Sequence, residues 1–210
     1  MITLETSPEA CLIRDGDMEI SFRRIADRWH HALRILHQEV WRPFITSQEG
    51  LPDSEVPPSP VFQDLRCERF DENVVEFQLL GQSGKAIYSG AIRYDGGPHT
   101  LDFDLSVRGR SVEPPPCTVT RYLIPLDFDV RNDPQSNPGG AEVVASSDQR
   151  VRVAPVALAD QPQTELRVDG DRRPQCITVG SLERVWPDPS GKGFTVRWRY
   201  QMTLGTVGQL

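Results

Sequence analysis

Three of the four histidines, His30, His31 and His37, fall within eight residues of one another, among Arg24, Asp27, Arg28 and Arg34. Histidine titrates nearest to neutrality, so such a group could supply a general base, a metal ligand or a charged interface. Two ligands to one metal on a helix stand three or four residues apart. On a helix His30 and His37 share a face but lie about 10 Å apart along the axis. His31 points a quarter turn away, so a single metal does not fit. Asp27 and His31, four residues apart, would orient each other for proton abstraction. No activated Ser or Cys accompanies them, and the reading assigns no catalytic residue. An interaction surface built from Arg24, Arg28, His31 and Arg34 fits the segment better, facing a protein partner or a second copy of the chain.

Other candidate motifs reduce to turns. Gly81-Gln82-Ser83-Gly84-Lys85 and Ser190-Gly191-Lys192-Gly193 look like phosphate loops, yet neither fits the required spacing or opens a helix. Leu101-Asp102-Phe103-Asp104 is echoed by Leu126-Asp127-Phe128-Asp129, with both carboxylates of each on one strand face. Calcium sites are loops with a glycine at the bend, so arginine-screened strand faces are expected, with no metal and no cofactor. Cys11, Cys67, Cys117 and Cys176 lie far apart with no C-x-x-C pair, which points to free thiols.

The elements that must position these residues are mostly strands. Phe194 to Leu204 alternates apolar and polar without a break, the pattern of a long strand with one buried face. Val75 to Leu79, Ala86 to Tyr94 and Leu101 to Val107 alternate likewise between glycine-rich turns, and form a meander. Tyr122 to Val130 reads as another strand, with Pro125 forcing an edge or bulge. Asp15-Gly16 marks a short hairpin. Ser21 then stands as an N-cap, and Phe22, Ile25, Trp29, Leu33, Leu36 and Val40 follow helical spacing. A helix over residues 21–40 is therefore expected, with Trp29 buried beneath it. Residues 46–60, with four prolines and three acids, read as an extended or mobile linker before an antiparallel region over 61–204.

The fold class is thus mainly β (α+β). One domain over residues 1–210 is expected: a meander-rich barrel, a sandwich or a strongly curved sheet, with one long N-terminal amphipathic helix. The chain carries 16 glycines and 18 prolines, a turn-rich composition. Its net charge of −7 leaves no nucleic-acid footprint. Neither a signal peptide nor a membrane span is read, and the location is taken as cytoplasmic. The inward face collects Tyr88, Tyr94, Phe103, Trp198 and Tyr200, with Gly90 small among them. A barrel of this size has room for one small guest. The favoured function is a non-enzymatic binding module for a small apolar ligand at those six residues. The alternative is an interaction or assembly protein, and a hydrolase-like enzyme ranks third.

Overall fold

The structure is a computed structural model that describes residues 1–50, 57–109, 117–133, 139–144, 149–159, 163–169, 174–181 and 193–206. Sixteen strands form two eight-stranded antiparallel sheets, and no helix occurs among the described residues. In the first sheet the order is β1 (Thr3–Thr6), β2 (Ala10–Asp15), β3 (Met18–Ile25), β4 (Arg28–His37), β5 (Val40–Ser47), β10 (Val119–Ile124), β15 (Gln175–Gly180), β14 (Glu165–Asp169). In the second it is β11 (Asp129–Asp133), β12 (Gly140–Val144), β13 (Gln149–Val156), β16 (Phe194–Thr206), β9 (Thr100–Gly109), β8 (Ala86–Asp95), β7 (Val74–Ser83), β6 (Asp64–Phe70). Each sheet keeps two edges, so the barrel is replaced by two open layers.

The sheets pack face to face over a single core. Phe22 of β3 meets Phe77 of β7 with ring centroids 5.1 Å apart, and His31 of β4 meets Phe103 of β9 at 5.5 Å. The meander appears as read, in β7, β8 and β9. The long alternating run is β16, whose Phe194, Val196, Trp198, Tyr200 and Met202 are all buried. It lies between β9 and β13 and joins two meanders that, among the described residues, have no other hydrogen-bonded contact.

The helix over residues 21–40 does not form, although mainly β holds. That stretch is the end of β3, all of β4 and the first residue of β5. Ala26 (φ 56°), Gln38 (φ 50°) and Glu39 (φ 64°) make the two tight turns in left-handed conformations. Such backbone costs a residue with a Cβ about 1–2 kcal/mol, and Gly or Asn normally advertises it. Without that signal, two hairpins read as one periodic segment. The inward residues of β4 are Trp29, His31, Leu33 and Ile35, at two-residue spacing, while Ile25 and Val40 of the supposed helical stripe are 54% and 58% exposed. Trp29 is buried as expected, from a strand.

The linker read over 46–60 divides into three parts. Thr46 and Ser47 end β5, residues 51–56 lie outside the described residues, and Pro57, Ser59 and Pro60 are buried. Residues 57–63 form a strap from one sheet to the other. The Trp29 amide donates to the Phe62 carbonyl at 2.8 Å, and the Gln63 amide donates to the Leu80 carbonyl at 2.8 Å. A Cβ on Gly81 would collide with the Val61 carbonyl, so glycine at that point admits the strap. Pro125 ends β10 outright, without an edge or bulge. Its carbonyl accepts the Phe128 amide at 3.1 Å as the chain crosses to β11. Residues 110–116 and 182–192, with Ser190-Gly191-Lys192 among them, fall outside the described residues.

Hairpin and helix predict opposite responses at the β4–β5 turn. Replacing Gln38→Asn together with Glu39→Gly supplies the preferred type I′ pair at exposed positions. The double variant should gain about 1 kcal/mol in urea unfolding, whereas glycine inside a helix would lose a similar amount.

Candidate functional site

Two polar groupings interrupt the apolar interior. The first spans the gap between the sheets. The imidazole of His31, aimed inward by the alternation of β4, stands at its centre. Its Nε2 is 2.8 Å from the Tyr122 hydroxyl of β10, which is 2.6 Å from the Tyr200 hydroxyl of β16. Its Nδ1 faces Glu49 Oε1 at 3.7 Å. Phe103 stacks on Tyr200 at 4.6 Å, with the two planes within 6°. Arg28 holds this end of the chain by donating to the Glu49 carbonyl at 2.9 Å, and the His31 amide donates to the Ser47 hydroxyl at 2.9 Å.

Burial sets the protonation of this row, because a low dielectric disfavours charge. Burial lowers His31 to about 3, with the charge of His30 adding to the effect. Burial raises Glu49 to about 8, partly offset by hydrogen bonding from Ser47 and by the Arg28 charge. Both phenols are pushed up, chiefly by burial, and stay protonated. At neutral pH the row is therefore a carboxylic acid, a neutral imidazole and two phenols. The hydrogen bonds from His31 through Tyr122 to Tyr200 tie the sheets together without charge, while Glu49 Oε1, at 3.7 Å from His31, lies beyond hydrogen-bond reach.

The second grouping lies at the end of the sandwich, around the β2–β3 turn. The Tyr94 hydroxyl donates to Asp15 Oδ2 at 2.8 Å and lies 3.1 Å from His99 Nδ1, which is itself 3.4 Å from Asp15 Oδ2. Burial and the adjacent carboxylate push the Tyr94 phenol well up, so it remains a donor. His99 takes a left-handed φ of 48°, a strained conformation of the kind found at binding sites. The chain's terminal ammonium approaches Asp15 Oδ1 at 3.5 Å. Beneath these groups opens a cavity of about 220 Å³, floored by Met18, Ile35, Phe44 and Leu204, with Asp17 and Arg150 on its rim. A larger cavity, of about 340 Å³, brings Cys11 and Cys67 together beside Trp29 and Phe77. Burial raises Cys11 to about 12, which makes it a poor nucleophile.

The six residues read from sequence as a ligand face do share the inner face of the second sheet, on β8, β9 and β16. The space at Gly90 is taken, however. A Cβ there would stand 2.7 Å from Leu105 Cδ2 and 3.2 Å from Phe62 Cζ. Of the six, Tyr94 alone is hydrogen-bonded to residues lining the end cavity. Tyr200 joins the interior row, while Tyr88, Phe103 and Trp198 pack in the core. The four residues read as an interaction surface do not share one: Arg24 is exposed, Arg28 is buried and His31 is interior. Arg34 is folded against Glu19 at 2.6 Å.

Sequence reasoning missed Asp15, His99 and Glu49. Asp15 was visible only as half of a turn signal, and His99 only as the histidine outside the cluster. Glu49 lies in the stretch that reads as an extended or mobile linker, yet it is 2% exposed. The first aspartate pair is screened by arginine, as expected. Asp102 accepts from Gln201 Nε2 at 2.6 Å and from Arg199, and Asp104 accepts from Arg197 Nε at 2.6 Å. The second pair falls at a turn and the start of β11, so the echo is no structural repeat.

No protein-family model matches the chain, and no curated protein matches it. Among the described residues no helix is long and apolar enough to cross a membrane.

The interior row makes a prediction about pH. Glu49 has its pKa raised from an ordinary 4.5, so its stabilisation is complete below pH 4.5 and is lost as pH rises through 8. His31 has its pKa lowered from 6.5, so its stabilisation is complete above pH 6.5 and is lost as pH falls through 3. The two slopes cancel between pH 4.5 and 6.5. From pH 6.5 to 8 the Glu49 contribution alone should remove about 2 kcal/mol. Urea unfolding of Glu49→Gln should lack this alkaline loss. Equal losses in both proteins would show that Glu49 is not held protonated.

Proposed function

We propose that this protein is a non-enzymatic binding module whose ligand is a small molecule with an apolar body and one polar head. The end cavity carries the reading, because it combines a floor of Met18, Ile35, Phe44 and Leu204 with a rim that converges on Asp15. Ligand sites in general pair mostly apolar walls with a few well-placed polar groups. At about 220 Å³ the cavity suits a guest of only a few heavy atoms. The polar head is oriented by a carboxylate whose own position is fixed by the buried Tyr94 hydroxyl. Among the described residues no nucleophile stands beside this group, and binding is favoured over hydrolysis. Free Cys11, Cys117 and Cys176 suit a reducing, cytoplasmic setting.

The cavity can be tested with 3-methylbutanol as a neutral probe. In methyl NMR spectra, titration should shift Met18, Ile35 and Leu204 and leave the residues around Gly90 unmoved. Leu204→Trp should fill the space from the floor and abolish those shifts without loss of fold. Shifts centred on Leu105, or none at all, would remove the end cavity as the site.

A further inference from the structure

We propose that the cavity shared by Cys11 and Cys67 is a binding site for a soft monovalent metal ion, Cu(I), held between the two thiolates. The site is separate from the end cavity and does not depend on the reading of that cavity.

The strand register brings the two thiols face to face. Cys11 of β2 is the pairing partner of Phe22 on β3, and Cys67 of β6 is the partner of Phe77 on β7. Phe22 and Phe77 meet across the sheets with ring centroids 5.1 Å apart. Directly opposed residues of paired strands share a face. Each cysteine therefore stands one strand outward from that contact, on the inner side of its own sheet. Both line the same cavity of about 340 Å³, and the charge of Cys67 adds to burial in raising the Cys11 thiol. Cys67 is exposed and Cys11 is buried, so the pair leads from solvent into the interior.

Reach decides between a direct bond and a bridged one. Packed sheets stand about 10 Å apart, while a disulfide needs its Cα atoms within about 7 Å. A metal between the sulfurs exchanges one bond of about 2 Å for two of about 2.3 Å. The span then grows to about 9 Å, near the separation of packed sheets. Sulfur ligands select Cu(I), zinc and iron–sulfur clusters. Zinc and the clusters take four protein ligands in closed sites. Among the described residues no group of three His, Cys, Asp or Glu is placed to hold a metal. Cu(I) is satisfied by two thiolates in line.

The surroundings suit that ion. Trp29, Leu65 and Phe77 give the pair apolar walls that keep water away. Binding releases one proton from each thiol and leaves copper as Cu(I), so no oxidant or reductant is consumed. The resulting complex carries one negative charge, which Arg24 in the same lining offsets. Asp64, the carboxylate of the lining, is already paired with Arg66 at 3.0 Å.

The test supplies Cu(I) anaerobically as its acetonitrile complex, in competition with the chromophoric chelator bicinchoninate. The natural protein should retain one Cu(I) per chain, with X-ray absorption showing sulfur neighbours alone. Cys67→Ser alters an exposed residue and should weaken retention by more than the roughly 100-fold lost with residues that only orient a ligand. Cys11→Ser should do the same, and Cys117→Ser, outside the cavity, should bind as the natural protein does. Retention unchanged in Cys67→Ser, Zn(II) held as tightly as Cu(I), or no Cu(I) kept from the chelator would each overturn the proposal. So would a disulfide between Cys11 and Cys67 formed with glutathione disulfide, because it places the two Cα atoms too close for a bridging ion.

Discussion

The fold depends on β16 finding its place between β9 and β13. The second sheet consists of two meanders, β6–β9 and β11–β13, that among the described residues are joined by hydrogen bonds only through this last strand. Its register runs from Phe194 opposite Gly109 to Thr203 opposite Thr100 on one side, and from Gln149 opposite Thr206 to Val156 opposite Arg199 on the other. A slip of one residue would turn Trp198 and Tyr200 outward and Arg197 and Arg199 inward. The outward arginines resist such a slip too, because Arg197 and Arg199 meet Asp104 and Asp102 on β9. The register is thus specified from both faces. Pairings between strands this distant in sequence form only after large loops close, which favours slow folding.

The interior row serves the same end from the first sheet. Tyr200 can reach Tyr122 at 2.6 Å only when β16 is in register and β10 lies opposite it. A buried polar row stabilises little if any member is left unsatisfied, and it discriminates strongly between correct and shifted packings. Keeping Glu49 and His31 neutral avoids the large cost of a buried charge. The strap of residues 57–63 adds a backbone link across the opposite margin, where Phe62 fills the space that Gly90 leaves open.

The candidate site sits where these constraints relax. At the β2–β3 turn a cavity remains between the elements, and polar groups from two separated stretches of chain meet there. Asp15 comes from one sheet, and Tyr94 and His99 come from the other. The site therefore depends on the docking of the sheets, and a change that loosens their packing should disturb it without touching any lining residue.

The amino-acid sequence by itself determined the strands whose two faces differ in polarity. The runs ending at Ser83, Asp95 and Gly109, and the run from Phe194, are legible because each alternates and each turn between them carries glycine. It determined the burial of the aromatic residues on β8, β9 and β16 for the same reason, whereas Trp29 is buried from β4 and not from the helix its spacing suggested. The tertiary structure alone decided the conformation of residues 21–40. There, Ala26, Gln38 and Glu39 accept left-handed turns that local preference disfavours, because the hairpins they close bury Phe22, Trp29, Leu33 and Ile35. It alone decided that Phe62 would occupy the space beside Gly90, and that Asp15 would meet Tyr94 from 79 residues away. Local sequence records which face of a strand avoids water. Which face of another strand it then meets is set by pairing and packing over the whole chain, and the site is made of those meetings.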